Sequence, residues 1–329
     1  MARTYPRSDR WTAAALPDQS GRIAVVTGAN TGLGLEIARV LAWRGATVLL
    51  ACRDLDKAER AAALIRAEVA SANVRIVRLD LASLASVREA ATEIRAISPR
   101  LDLLINNAGV MEVPYQRTGD GFELTLATNH LGHFALTGLV LDRLLATSGS
   151  RIVTVSSLAH RRGVMHFDDL HFEQRYRSSE AYAQSKLANL LFTHELQTRL
   201  AAAGLRTLAL AAHPGNARTD LWRTSSLLER VLINPSLRWL TFWLGQDPPL
   251  AALPALRAAI DPSAHGGEYY GPSNVFEYTG YPIRVEASPG SHNAAAQRRL
   301  WEVSEQLTGV AYPLAVPSDE QALRTSTGQ

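Results

Sequence analysis

Tyr182 and Lys186 stand four residues apart in the run Tyr182-Ala183-Gln184-Ser185-Lys186. Positions i and i+4 share one face of a helix, so this spacing brings a phenol and an ammonium into one small site. Such a pair can move protons. A free tyrosine has a pKa of about 10, and a cation that favours phenolate by ~3 units must contribute roughly 4 kcal/mol, the shift a group poised near neutrality needs. Composition sharpens the reading: 32 of the 34 basic residues are arginines, and the only lysines are Lys57 and Lys186. Arginine is the default cation of this chain, and its planar fork and high pKa would not replace an ammonium chemically. The same spacing also occurs on ordinary amphipathic helices, where the ring is core and the lysine is solvated, so the surrounding pattern has to decide.

That pattern is an alternation of strands and helices. A β-branched run at 22–27 leads into Gly28-Ala29-Asn30-Thr31-Gly32-Leu33-Gly34 and then a helical stretch at 35–43. A strand running through three glycines into a helix N-terminus is a phosphate cradle, because glycines admit a pyrophosphate to the backbone and the helix end presents free N–H groups. The spacing is G-x-x-x-G-x-G rather than G-x-G-x-x-G, so the flanking strand and helix carry the argument. Strands are expected at 47–51, 74–79, 101–105, 151–155 and 206–211, and helices at 55–70, 83–97, about 122–145 and 180–200. Strands separated by helices of this length imply right-handed crossovers and a parallel sheet covered on both faces, a doubly wound α/β fold of Rossmann type. Ligands of such folds sit beyond the carboxyl ends of the strands, and the glycine loop, Asp80, Asn106 and Ser156-Ser157 all follow strands directly.

Length and composition bound the rest. A chain of 329 residues with 47% hydrophobic content can bury a large core. Its net charge of +3 is spread over scattered arginines with no basic stripe, which argues against a nucleic-acid partner. The single cysteine, Cys52, excludes an intrachain disulfide and a cysteine-based zinc cluster, which fits a reducing, cytoplasmic setting. Residues 1–20 read as a tail too short and polar for a signal peptide or a membrane span, 21–310 as one domain, and 311–329 as a polar C-terminal tail.

With these motifs in order, the chain resembles the short-chain dehydrogenase/reductase family. The resemblance covers roughly 20–310 and rests on the glycine loop, Asp80, Asn106-Asn107-Ala108-Gly109, Asn129, Ser157, Tyr182/Lys186 and His213-Pro214-Gly215. Ala51-Cys52-Arg53-Asp54, Asn129-His130-Leu131-Gly132-His133-Phe134 and Ser185-Lys186-Leu187-Ala188-Asn189 are most similar to its retinol-dehydrogenase-like branch, which includes relatives of protochlorophyllide reductase. The resemblance implies hydride transfer between a nicotinamide cofactor and a carbonyl or alcohol. Tyr182 would be the acid/base, Lys186 would lower its pKa and bond the nicotinamide ribose, Ser157 would hold the substrate oxygen, and Asn129 would bend its helix and anchor a proton-relaying water. Cofactor contacts are implied for Gly28, Asn30, Thr31, Gly32, Leu33, Gly34, Asp80, Leu81, Asn106, Ala108, Gly109, Tyr182, Lys186, Pro214, Gly215 and Thr219. Members often pair through helices, so a homo-oligomer is the default expectation.

Cofactor choice turns on the end of the second strand, where an acidic residue selects NAD(H) and an arginine accommodates the 2′-phosphate of NADP(H). Arg53 stands there beside Asp54, and Asp54 directly precedes a helix and is expected to cap it, so NADP(H) is expected. Residues 221–245 occupy the family's lid segment and hold three of the six tryptophans, pointing to a bulky, apolar small-molecule substrate. A membrane-surface helix is the rival for that segment, disfavoured by its few arginines. Between Ser157 and Tyr182 lie His160, His166 and His171, and His130/His133 stand at i, i+3, but no carboxylate or cysteine set completes a metal site, so no metal is expected. Two other functions share the fold. A cofactor-sensing scaffold without chemistry would be expected to lose Tyr or Lys, and both are present. In a C=C reductase a cysteine outside the motif is often involved, and Cys52 falls at the adenosine end.

Overall fold

The computed structural model describes residues 10–216 and 246–314. Eight strands form one sheet in the order β3-β2-β1-β4-β5-β6-β7-β8: β1 Ile23–Thr27, β2 Thr47–Cys52, β3 Val74–Arg78, β4 Leu103–Asn106, β5 Arg151–Val155, β6 Leu208–Ala212, β7 Tyr269–Pro272 and β8 Pro282–Val285. The first seven run parallel, and β8 turns back antiparallel to β7. The expected doubly wound fold is therefore present as a single domain. Between β1 and β4 the strand order reverses, which opens the crevice where such sheets bind ligands.

Alternation along each strand splits the core in two. Val26, Leu50, Ile105, Val153 and Leu210 face one side with helix α1, Gly32–Trp43, and helix α2, Leu55–Glu68. Val25, Leu49, Leu104, Ile152 and Ala209 face the other with helix α3, Leu84–Ile97. Asp54 caps α2 by accepting from the Lys57 N–H at 3.0 Å, and Ser83 caps α3 by accepting from the Ser86 N–H, which fixes where each helix starts.

The expected helix at about 122–145 is interrupted. One turn, α4 Leu124–Leu126, is capped by the Glu123 carboxylate and followed by a π-helical segment, Ala127–Leu131, before α5 runs over Gly132–Leu145. A π turn bulges the helix, and Asn129 sits at its centre. Helix α6, Ser178–Ala202, exceeds the expected 180–200 and is buried along most of its length. An aromatic cluster locks these two helices to the C-terminal helix Ala294–Thr308: Trp301 stands 5.3 Å from Phe134 of α5, 5.9 Å from Phe192 of α6 and 4.5 Å from Tyr312, ring centre to ring centre. Arg199 lies 4.3 Å over Trp301, and its charge is met by Glu195 at 2.8 Å.

Both expected tails are partly folded. Trp11 and Ala13 pack on the core, Leu16 is buried, and Arg44 donates to the carbonyls of Ala13 at 3.0 Å and Ala14 at 2.6 Å. The short apolar run that precedes β1 is thus part of the domain rather than a tail. At the other end Val310, Tyr312 and Leu314 are buried, and the Tyr312 hydroxyl donates to the Phe134 carbonyl at 2.7 Å, so packing passes the expected boundary at 310. No described helix is long and apolar enough to cross a membrane. The expected lid at 221–245, and Thr219, lie outside the described residues.

Candidate active site

The crevice is assembled from strand ends. Gly28 follows β1 with φ at +66°, where a side chain would also strike Ala108, and a Cβ on Gly34 would run into the Gly28 carbonyl and the Asn107 amide. The loop is folded so closely on itself and on the β4 end that only glycines fit, and α1 begins at Gly32 with its N-terminal N–H groups at the crevice. Asn30 and Leu33 are half-buried and Thr31 is exposed on this loop.

Thr27 ties the loop to its neighbour strand. Its hydroxyl accepts the N–H groups of Asn107 and Ala108, both at 2.9 Å, and lies 2.9 Å from His133 Nε2. His133 Nδ1 faces the Asn129 carbonyl at 3.1 Å and must therefore carry the proton, so Nε2 accepts from Thr27. Burial pushes His133 down to about 4 and holds it neutral in that role.

Asn129 is a clamp. Its amide accepts from the Val110 N–H at 2.8 Å and donates to the Val110 carbonyl at 2.9 Å and to the Ser185 hydroxyl at 2.9 Å. Both of its N–H groups are used, so the expected water is left only spare lone pairs on its oxygens. Ser185 donates onward to the Tyr182 carbonyl at 2.8 Å, which joins the π turn to the helix bearing Tyr182 and Lys186. Gly109 abuts both the Asn129 amide and the Lys186 ammonium.

The structure separates the two serines after β5. Ser156 is buried and donates to the Lys186 carbonyl at 2.8 Å, fastening α6 to the sheet. Ser157 is half-buried, accepts from the Ala159 N–H at 3.2 Å and keeps its own hydroxyl proton available toward Tyr182. Lys186 is buried, and Nζ donates to the Val155 carbonyl at 3.2 Å while standing 5.6 Å from the Tyr182 ring centre. Burial lowers the ammonium to about 8. Burial likewise raises the Tyr182 phenol, the Ser157 hydroxyl pulls it back, and the Glu112 carboxylate adds to the rise. The expected lowering by Lys186 does not govern, because its ammonium is turned to the end of β5. The Ser157 hydroxyl and the Lys186 ammonium nevertheless both lie near Tyr182, an arrangement able to give or take a proton at an oxygen.

The remaining expected contacts divide. Arg53 is exposed at the end of β2 and has no ion pair among the described residues, whereas Asp54 is occupied with its cap and with Lys57 at 3.1 Å. Asp80 is half-buried and turns one oxygen back to the Ala82 N–H at 3.0 Å. The Leu81 and Asn106 side chains point away from the crevice: Leu81 packs in the core, and Asn106 donates to Thr137 at 3.0 Å with its amide oxygen buried and unpartnered. Pro214 and Gly215 are half-buried beyond β6. Cys52 is buried beneath the glycine loop, and burial raises its thiol to about 11, which leaves it unreactive. The histidines take structural partners: His130 meets Ser304 at 2.9 Å, His160 lies between the Ser157 carbonyl and the Ser288 N–H, His166 meets Phe172 edge to face, and His171 stacks on Phe122. Among the described residues no group of three or more His, Cys, Asp or Glu is placed to hold a metal.

The glycine cradle, the exposed Arg53 and the spare donors of a buried ammonium fit a dinucleotide cofactor. Comparison with known proteins gives the family. The short chain dehydrogenase family profile matches residues 22–229. Human retinol dehydrogenase 13 is 43% identical over 311 residues, covering 93% of this chain and 91% of its own, and human retinol dehydrogenase 12 is 43% identical over 294 residues, covering 89% and 88%. A crystal structure of an uncharacterised protein from Mycobacterium paratuberculosis superposes with a TM-score of 0.76 at 44% identity, covering 93% of this chain and 100% of that one. A candidate NAD(P)-dependent gluconate 5-dehydrogenase from Beutenbergia cavernae with bound NADP at low occupancy gives a TM-score of 0.59 at 27% identity, over 77% and 95% of the two chains. The chain belongs to the short-chain dehydrogenase/reductase family of oxidoreductases, in its retinol-dehydrogenase-like branch.

Sequence reasoning missed two positions that hold the crevice. Asn107 donates to the Thr27 carbonyl at 2.8 Å and fixes the β4 end against the glycine loop, a role its neighbour Asn106 obscured. Glu277 had no local signal. It follows Phe276 in left-handed backbone, with φ at +63° and +59°, and bridges Arg161 at 2.7 Å to His213 Nε2 at 3.1 Å. His213 Nδ1 accepts from the Gly215 N–H at 3.2 Å, so Nε2 carries the proton given to Glu277. One carboxylate therefore joins the turn after Ser157 to the loop of Pro214 and Gly215. Glu277→Ala should destabilise the protein by about 1–3 kcal/mol in denaturant titration, since it strands a buried N–H, while Glu277→Gln, which keeps an acceptor, should lose less than half as much. Equal losses in both variants would contradict the bridge.

Proposed function

We propose that this protein is an NADP(H)-dependent oxidoreductase that interconverts a carbonyl and an alcohol on a bulky, apolar substrate, with Tyr182 as acid/base. The observation that carries it is the convergence of the Tyr182 phenol, the Ser157 hydroxyl and the buried Lys186 ammonium beside the glycine-lined crevice. Bound NADPH supplies the hydride.

The chain's own residues handle the oxygen and its proton. Ser157, anchored by the Ala159 N–H, donates to the substrate oxygen, and Tyr182 gives that oxygen its proton in reduction or takes it back in oxidation. Burial raises the phenol, so Tyr182 holds its proton at neutral pH and has one to give. Lys186 spends one N–H on Val155 and has two left for ribose hydroxyls. Asn129 holds Val110 and Ser185 so that loop and helix keep their spacing. An apolar substrate is supported by the tryptophan-rich sequence of 221–245 and by the retinol dehydrogenase relatives.

Tyr182→Phe tests the chemistry. Aldehyde reduction should fall by about 10²-fold or more, while NADPH binding, followed by fluorescence titration, changes little; a variant retaining over about a tenth of the rate would remove Tyr182 from the role. Arg53→Ala tests the cofactor. Loss of a charge-assisted bond to the 2′-phosphate should weaken NADPH relative to NADH by about ten- to a hundredfold. A wild-type preference for NADH would turn the selection over to Asp54.

A further inference from the structure

We infer that Glu112 is a specificity-determining residue: its carboxylate stands at the mouth of the Tyr182 site and selects carbonyl substrates with neutral or cationic far ends over those ending in an anion. This rests on the carbonyl/alcohol reading above and adds to it the charge class of the substrate.

Glu112 is held in place by the active site itself. Asn129 grips Val110 by both its N–H and its carbonyl, and the Tyr176 hydroxyl donates to the Val113 carbonyl at 2.7 Å. Between these two pins the chain passes through left-handed backbone at Glu112, with φ at +50°. That conformation is uncommon for a residue with a side chain and costs free energy, and such outliers concentrate where a site requires them.

The residue opens onto a cavity of about 560 Å³ lined by Val113, Pro114, Tyr115, Tyr176 and Ser178. It is an open cleft, wide enough to take the end of a small molecule. Tyr115 and Tyr176 meet edge to face at 5.1 Å and give it an aromatic wall. Ser178 opens α6 and lies one helical turn before Tyr182 on the same face, so the cavity adjoins the proton-transfer group. A substrate whose carbonyl reaches Tyr182 can extend its far end along this wall.

The charge inside the cavity is one-sided. Arg177 also lines it, but its guanidinium is paired with Glu180 at 3.0 Å. Glu112 has no ion pair among the described residues, so Glu112, Arg177 and Glu180 together leave a net negative charge at this mouth on a chain whose net charge is +3. The field of the carboxylate reaches the phenol, where it adds to the rise that burial causes. A carboxylate or phosphate on the substrate would meet the same repulsion, whereas a methyl or ammonium would not.

The test uses three aldehydes of equal chain length ending in methyl, carboxylate or trimethylammonium, assayed with NADPH against wild type and Glu112→Gln. Wild type should favour the methyl end over the carboxylate by about three- to thirtyfold in kcat/KM, the range for unit charges several ångströms apart at a partly solvated site. Glu112→Gln should bring that ratio to within about twofold, and raised salt should compress it in wild type only. Glu112→Asn serves as a second uncharged variant and should behave like Glu112→Gln. Turnover of all three aldehydes at one common efficiency, or the same ratio in wild type and both variants, would overturn the role of Glu112 and leave the reductase standing. Turnover of none would overturn the reductase reading and the inference with it.

Discussion

A buried ammonium with no carboxylate paired to it among the described residues is the constraint around which this site is built. Removing a charged amine from water costs several kcal/mol even after relaxation. Lys186 meets that cost through the Val155 carbonyl, which it shares with Asn189 at 3.1 Å, and through a pKa lowered to about 8. Those groups exist only where a strand stops and a helix crosses its end. Ser156 completes the junction by bonding the Lys186 carbonyl, so β5 and α6 meet in three bonds within one turn. An arginine, larger and unable to lose its proton, has no equivalent place there.

Rigidity elsewhere follows from keeping that junction in register. The π turn aims the Asn129 amide at Val110 and Ser185 at once, which a regular helix would not do from this position. Behind it, Phe134, Phe192, Trp301 and Tyr312 pack, mostly edge to face or tilted, into one aromatic block that fixes α5 against α6. Residues far along the chain thereby hold the Tyr182/Lys186 helix at a set height over the sheet. On the other side, Glu277 joins the turn beyond Ser157 to the loop beyond β6, so one carboxylate ties the two rims of the crevice.

Much of this was legible in the sequence, for physical reasons that differ by element. Buried parallel strands read as short apolar runs between turn signals, and the glycine loop announced itself by its place between a strand and a helix. The scarcity of lysine made Lys186 stand out before any geometry was known. Strands β7 and β8 were not legible, because Gly271, Pro272 and Pro282 interrupt runs of only four residues. The π turn was invisible because its residues have ordinary helical character, and the folding of residues 11–16 depends on a partner, Arg44, supplied by a distant helix end. Asn106 shows the limit of a motif: its position marks the strand end, but the hydrogen bond to Thr137 turns its side chain away from the crevice. Charge effects were hardest to read. Spacing placed an ammonium beside the phenol, yet burial outweighs it at Tyr182.

The chain's two lysines make the central claim directly measurable. In protein labelled with nitrogen-15 at lysine, NMR titration should show two side-chain signals, assigned by Lys57→Arg. The Lys186 signal should titrate with a midpoint near 8 in the protein free of nucleotide, and binding of NADPH should shift it. A Lys186 midpoint above about 10, the value of a solvated amine, with no response to NADPH, would contradict a buried ammonium at the heart of the site.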